Sequence, residues 1–162
     1  MRKTILLAAT LALALVGAAR AEPVKAGDLT IDKAWARATP KGSQVGAGYL
    51  TIRNDGASAD KLTAVSVDFA DAQVHEMKMA NGVMQMRAAT GGLEIPAHGV
   101  VTLAPGGYHV MFVGLKHPLA KGETVEATLT FEHAGVVKVA LPVLGIGAAG
   151  PAAGHDMHNM KM

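Results

Sequence analysis

Short runs of β-forming residues, separated by turn residues, occupy most of the chain and constrain its fold more than any other feature. YLTIRN and TVEATLTF alternate apolar and polar residues, as half-buried strands do. NDG, ANG, PGG and KGE mark turns between such runs, and no segment keeps a helical period. The predicted strands are 31–38, 46–54, 61–67, 72–79, 82–88, 100–104, 108–115, 124–132 and 136–143. The pattern predicts a single all-β domain, an immunoglobulin-like sandwich or a small barrel.

The N-terminus has the pattern of a secretory signal peptide. Arg2 and Lys3 give a charged start, an apolar run follows, and Ala19-Arg20-Ala21 forms a small-x-small cleavage pattern. The run is too short to favour the alternative, an uncleaved membrane anchor. Residues 1–21 are therefore predicted to be removed, which leaves a periplasmic protein without a membrane span.

The charge of the mature chain gives no electrostatic reason to expect nucleic acid as a partner. The full sequence has 15 basic and 13 acidic residues, a net charge of +2 with neutral histidines. Loss of residues 1–21 removes three basic residues and no acidic one, which leaves a net charge of −1. A near-neutral surface does not attract a polyanion.

Composition divides the mature chain into three parts. Residues 22–144 form the predicted β domain, and residues 145–154, GIGAAGPAAG, have the composition of a flexible linker. Residues 155–162, HDMHNMKM, end the chain with a histidine- and methionine-rich tail. The chain contains no cysteine, which excludes disulfides, thiolate zinc sites and cysteine-ligated blue-copper centres.

Methionine is concentrated in one short stretch, VHEMKMANGVMQMR, from residue 74 to 87. Asn81-Gly82 within it is the strongest short signal for a two-residue type I′ hairpin turn. That turn pairs Met79 with Met84 and Met77 with Met86. Because side chains alternate along a strand, these four methionines and His75 share one face, while Glu76, Lys78, Gln85 and Arg87 share the other.

Two interpretations of the methionine face remain open. It is either a buried hydrophobic face, for which Met79 and Met84 are the best candidates, or a set of ligands converging on a metal ion. His75 and Met86 are diagonal neighbours in the predicted pairing, within reach of one ion. His109 and Met111 also share a face, since they lie two residues apart on a predicted strand. The remaining histidines, His98, His117 and His133, are predicted to lie in loops or on the surface.

The ligand chemistry favours a soft metal. Thioethers are soft and uncharged and imidazole is intermediate, a combination that selects Cu(I) over zinc, calcium or magnesium. Thioethers also persist in an oxidising compartment without forming disulfides. The signal peptide, the absence of cysteine and the methionine clusters therefore all indicate an exported protein that binds copper.

Several stretches resemble the periplasmic copper chaperones associated with assembly of the CuA centre of cytochrome c oxidase. They are WARATP (35–40), GAGYLTIRN (46–54), HEMKM (75–79), GVMQMR (82–87), GGLEIPAHG (91–99), PGGYHVMF (105–112) and GLKHPL (114–119). The motif of that family is a histidine, a methionine about ten residues later, and His-x-Met some twenty residues beyond. The resemblance implies a cupredoxin-like β fold that binds one Cu(I) through His75, Met86, His109 and Met111. It also suggests Met77 as an accessory ligand.

A copper carrier is the leading functional hypothesis, with a copper-accepting periplasmic protein or an oxidase subunit as its partner. A periplasmic copper buffer or resistance protein, which sequesters without specific delivery, is the alternative. No catalytic serine-histidine-acid motif, paired carboxylates or phosphate-binding loop is recognisable, so the chain is predicted not to be an enzyme.

The tail is predicted to form a second, weaker copper site; the alternative is a disordered end with no role. His155, Asp156 and His158 offer a nitrogen and oxygen set suited to Cu(II). Met157, Met160 and Met162 add thioethers that suit Cu(I). Tethering by the linker would keep this copper close to the main site.

Overall fold

The computed structural model describes residues 21–151, which form eleven β-strands and no helix. The strands are β1 Val24–Ala26, β2 Leu29–Arg37, β3 Val45–Asn54, β4 Asp60–Ser66, β5 Asp71–Ala80, β6 Val83–Ala88, β7 Leu93–Ile95, β8 Val100–Leu103, β9 Tyr108–Val113, β10 Thr124–Phe131 and β11 Gly135–Leu144. All nine predicted strands are present, and the prediction of an all-β fold is confirmed. Within the described residues no helix is long and apolar enough to cross a membrane.

Two three-residue strands, β1 and β7, were not predicted, because three residues are too few to show alternation. A signal for β1 was nevertheless present in Gly27-Asp28. Ala26 pairs with Leu29 across these two residues, and Gly27 has a φ of 58°. This is a two-residue hairpin loop of a kind that glycine at its first position permits.

The strands form one hydrogen-bonded series that folds back on itself into two layers. Its order is β6-β5-β9-β8-β3-β2-β11-β10-β4-β7, with β1 on β2 and an added pairing of β9 with β3. β2 and β11 are joined only by a short parallel contact at Ala36 and Arg37. The preceding residues of β11, Gly135–Pro142, pair with β10, which makes a second layer with β4 and β7.

The core lies between these layers. One cluster of buried side chains includes Ile52 of β3, Phe112 of β9, Leu129 of β10 and Leu141 of β11. Phe112 also meets Phe69 edge-to-face at 5.1 Å between ring centroids. The predicted sandwich therefore has a continuous apolar interior, and its outer faces are free to carry other side chains.

The β5–β6 hairpin extends past this core as a two-stranded ribbon. Residues Asp71–Glu76 of β5 pair with β9, whereas His75–Ala80 pair with β6. The two pairings overlap only at His75 and Glu76. Beyond that point none of the described strands lies beside the ribbon as a third strand, and every residue of β6 is exposed.

Three of the predicted segments extend beyond the described residues. Residues 1–20 of the predicted signal peptide lie outside the described residues, and only its last residue, Ala21, is described. The whole tail, 155–162, also lies outside. Of the predicted linker, residues 145–151 are described. They contain a turn in which Ala148 donates to the Gly145 carbonyl, and Arg37 donates to the Ala148 carbonyl at 2.8 Å.

Candidate metal centre

The predicted hairpin register is confirmed in full. Asn81 and Gly82 both have positive φ, 52° and 77°, as a type I′ loop requires. Met79 pairs with Met84 and Met77 with Met86. Glu76 and Arg87 are register partners, but their side chains do not form an ion pair. The ion pairs within the described residues are Arg53–Asp55 and Lys138–Glu126.

The interpretation of the methionine face as buried core is wrong. Met79 is 60% exposed, Met84 46% and Met86 49%. These side chains lie on the ribbon that extends beyond β9, where no other strand covers them. Packing therefore does not account for the methionines at these positions.

Three neighbouring strands bring the four predicted ligands together. His75 of β5 is the register partner of His109 on β9, and their ring centroids are 5.8 Å apart. Met111 lies one pleat along β9, opposite Gln73, so it is diagonal to His75. Met86 lies diagonally on the other side, since it pairs with Met77. His75 thus occupies the central strand, with a predicted ligand diagonal to it on each side.

A cleft of about 450 Å³ opens on this face of the sheet. Met86, His109 and Met111 line it, together with side chains of β2, β3 and the segment after β11. His75 and Met77 do not line the cleft, but the ring of His75 lies 5.8 Å, centroid to centroid, from that of His109, which does. The cleft residues beyond the predicted ligands are Arg37, Ala38, Thr39, Pro40, Val45, Gly46, Ala47, Tyr49 and Ile146.

Alternation along β9 separates the cleft from the core. Val110 and Phe112 point into the sandwich and are buried, whereas His109 and Met111 lie on the opposite face. His109 is only 8% exposed because it is covered within the cleft. The strand thus anchors the site through its apolar face and presents ligands on the other.

Hydrogen bonds leave one free lone pair on each imidazole. His109 Nδ1 lies 3.3 Å from the Gly107 carbonyl, which only accepts, so Nδ1–H donates and Nε2 keeps its lone pair. His75 Nε2 donates to Gln73 Oε1 at 3.1 Å, which leaves the Nδ1 lone pair. That Nδ1 is buried and has no hydrogen-bond partner among residues 21–151. An imidazole held through one nitrogen and free at the other is the arrangement found in metal-ligating histidines.

Burial favours the metal-binding form of His75. Desolvation lowers the pKa of His75, and the nearby His109 lowers it further. A lowered pKa keeps the ring neutral, and only a neutral imidazole has a lone pair for a metal. Within residues 21–151, this face included, no three His, Asp or Glu side chains are grouped to hold a metal ion. A metal on this face would therefore depend on thioethers and two imidazoles.

Arg37 forms one wall of the cleft and was not predicted from the sequence. Its guanidinium lies 5.7 Å from the Trp35 ring centroid and 5.5 Å from that of Tyr49. The two rings are register partners with centroids 4.5 Å apart. Desolvation raises the pKa of Tyr49, while the Arg37 charge opposes that rise. Arg37 also holds Ala148, which keeps Ile146 at the cleft.

The surface histidines are placed as predicted. His98 lies in an exposed turn with a φ of 53°, and His117 and His133 are exposed in loops. None of the three faces the cleft.

Residues 29–143 match the profile of the LpqE-like family, whose description is "Putative lipoprotein LpqE-like". The chain belongs to the LpqE-like family. A relative from Leifsonia xyli, named "Putative lipoprotein Lxx21020", is 35% identical over 139 residues, which cover 85% of this chain and 82% of that protein.

Solved structures extend the likeness of this LpqE-like protein to PCuAC domains. The apo PCuAC domain from PmoF1 is 30% identical with a TM-score of 0.65, over 76% of this chain and 99% of that one. The copper-bound PCuAC domain from PmoF2 is 29% identical with a TM-score of 0.64, over 76% of this chain and 98% of that one. The Cu(I) form of DR1885 from Deinococcus radiodurans is 29% identical with a TM-score of 0.56, over 76% of this chain and 80% of that one.

Proposed function

We propose that this protein is an exported copper chaperone that binds one Cu(I) in the cleft and passes it to a copper-accepting protein. His75, Met86, His109 and Met111 are the proposed ligands, and Met77 is an accessory donor beside Met86. The observation that carries the proposal is the buried Nδ1 of His75, which has no partner among residues 21–151 and lies on the sheet face that also carries Met86 and Met111.

The chemistry of the donors supports the choice of metal. A buried polar atom without a partner costs about 1–3 kcal/mol, a cost that a bound cation would offset. Two thioethers and two neutral imidazoles carry no charge, so they suit a monovalent soft ion better than a hard divalent one. The likeness to PCuAC domains solved in copper-bound form supports the same metal.

Exposure of a ligand favours delivery over sequestration. Met86 is 49% exposed at the edge of the sheet, whereas His109 is buried. An incoming acceptor could replace the Met86 thioether first while the imidazoles still hold the ion. A copper buffer would gain from enclosing all its ligands, which this geometry does not do.

Export, the acceptor and the tail complete the proposal. The signal-like residues 1–21 and the lipoprotein names of the relatives support export to the periplasm. The acceptor is a periplasmic copper protein or an oxidase subunit such as the one that carries CuA. Residues 155–162 are proposed to capture Cu(II), because His155, Asp156 and His158 offer nitrogen and oxygen donors. Ile146 of the preceding linker lines the cleft, which supports a role near the main site.

Isosteric variants test the cleft site. Met86→Leu and Met111→Leu keep the side-chain bulk and remove the thioether, a swap that usually costs less than about 1.5 kcal/mol of stability. We expect each to bind Cu(I) at least about tenfold more weakly, since even outer-shell changes cost about 10–100-fold in metal affinity. Competition with a Cu(I) chelator under anaerobic conditions gives the affinities.

His117→Gln is the matched control for His109→Gln, because His117 is exposed in a loop away from the cleft. We expect the first variant to bind like the natural protein and the second to lose Cu(I). Unchanged affinity in both Met86→Leu and Met111→Leu would refute the cleft assignment.

A further inference from the structure

The free end of the ribbon carries two methionines that the cleft site does not use. Met79 and Met84 are register partners next to the Asn81-Gly82 turn and are 60% and 46% exposed. Neither belongs to the buried core cluster or lines the cleft. Long apolar side chains this exposed lose the burial that normally stabilises them.

The ribbon arranges four thioethers in two rows on one face. Met77 pairs with Met86 and Met79 with Met84, and both rows point to the same side as His75. Register partners have Cβ atoms about 4.5–5.5 Å apart, so the thioethers of one row can meet at a single ion. Successive rows are separated by two strand residues, roughly 6.8 Å.

Methionine is suited to joining these rows. Its three rotatable bonds let the sulfur cover a wide radius, and its thioether remains a ligand over the ordinary pH range because it has no proton to lose. No cationic side chain shares the row, since Lys78 and Arg87 lie on the other face of the ribbon. This face of the ribbon therefore carries soft, neutral donors and no cationic side chain of its own.

We propose that Met79 and Met84, with Met77 behind them, form a second and weaker Cu(I) site at the tip of the ribbon. The ion passes between this site and the cleft by ligand exchange, one thioether replacing another, with no change of oxidation state. The tip is the part of the donor face that lies farthest from β9 and is open to an approaching acceptor. Its role as a route of transfer rests on the proposed function, whereas its ability to bind a soft monovalent ion does not.

The test uses the full mature chain with its methionine methyl groups labelled for NMR, titrated with Ag(I), which mimics Cu(I) and needs no reductant. Single Met→Leu variants assign each methyl signal, including those of the tail methionines. We expect the Met86 and Met111 methyls to shift with the first equivalent. The Met79 and Met84 methyls should then shift together at higher Ag(I) concentration.

The double variant Met79→Leu/Met84→Leu tests the site and the route together. Exposed, isosteric changes of this kind alter stability by about 0.5 kcal/mol or less. We expect the tip step to disappear with more than about tenfold loss of its affinity, while the first equivalent binds as before. Withdrawal of Cu(I) by an acceptor protein should slow by a similar factor.

Val83→Leu is the matched control, because Val83 is 61% exposed beside the same turn but faces the other side of the ribbon. It should change neither the titration nor the transfer rate. The proposal is overturned if excess Ag(I) leaves the Met79 and Met84 methyls unmoved, or if the double variant transfers copper at the natural rate. Failure of the cleft variants would refute the proposed function, but the tip methyls would still report on the second site.

Discussion

His75 depends on its neighbours for the form in which it could bind a metal. Gln73 holds one ring nitrogen, and burial keeps the other without a partner. The sequence motif predicted His75 and its methionine neighbours, because the Asn81-Gly82 turn sets their register locally. It did not predict Arg37 or Tyr49, since these residues reach the cleft through strand pairings that no short pattern encodes.

Asp60 is the residue whose charge contributes most clearly to the fold. It is buried, and its carboxylate accepts hydrogen bonds from the backbone N–H groups of Lys61, His133 and Ala134. Burial raises the pKa of Asp60, but these bonds and the His133 charge outweigh it, so the pKa is lowered. The carboxylate therefore holds the turn between β10 and β11 against β4.

The lowered pKa fixes the direction of a pH effect on stability. The contribution of Asp60 is fully present above the unfolded-state pKa of about 3.9 and is lost as the pH falls through the lower folded-state value. Asp60→Asn should cost about 1.5–3 kcal/mol at pH 7, since an amide cannot accept all three bonds. Urea unfolding should show the gap from the natural protein narrowing below pH 4. Asp55→Asn is the control, because Asp55 is exposed and its ion pair with Arg53 contributes little. A gap that is the same at pH 3 and pH 7 would contradict this role.

At the scale of the elements, the nine predicted strands followed from alternation and turn residues, which are local properties. The exposure of the methionine ribbon was not predictable in this way. Alternation shows that residues share a face, but it does not show what covers that face. Here β9 begins at Tyr108, beside Glu76, so the methionine rows on the far side of Glu76 are left open to solvent.

Gly48 shows how an element is fitted to the core. A Cβ at this position would lie 2.9 Å from Phe112 Cζ and 3.6 Å from Leu141 Cδ1. Gly48→Ala should therefore destabilise the fold by about 1–3 kcal/mol through overpacking. On the same strand Gly46→Ala is the control, since its Cβ would meet no atom closer than 3.4 Å. Thermal unfolding measures the stability of the two variants. In the double variant Gly48→Ala/Phe112→Leu, the added methyl group should cost less stability than it does beside the natural Phe112. Equal stability of the two alanine variants would show that the Phe112 ring moves aside freely.

At the scale of the whole molecule, the site exists because distant segments pair. His75 and His109 are 34 residues apart in sequence and meet only through the β5–β9 pairing. Met111 in turn sits beside Ala47 of β3. The resemblance to a known family supplied the ligand set, but alternation alone could not choose among the possible strand orders. The contact between the end of β11 and β2 brings the segment after β11 to the cleft, which no pattern in that segment indicated.

The position of that segment leads to a prediction about the whole chain. Arg37 holds Ala148, and Ile146 lines the cleft, so residues 155–162 follow a segment anchored beside the proposed Cu(I) site. A chain cut after Gly154 keeps every strand and the entire core cluster, so it should fold and bind one Cu(I) as tightly as the natural protein. Its Cu(II) uptake should fall, because His155, Asp156 and His158 are gone.

With a reductant present, Cu(II) added to the full chain should also fill the cleft site faster than in the cut chain, since tethering raises the local copper concentration. Isothermal titration with Cu(II), and the rate of Cu(I) appearance at the cleft, measure the two effects. Equal Cu(II) uptake by both chains would mean that the tail is not a copper site.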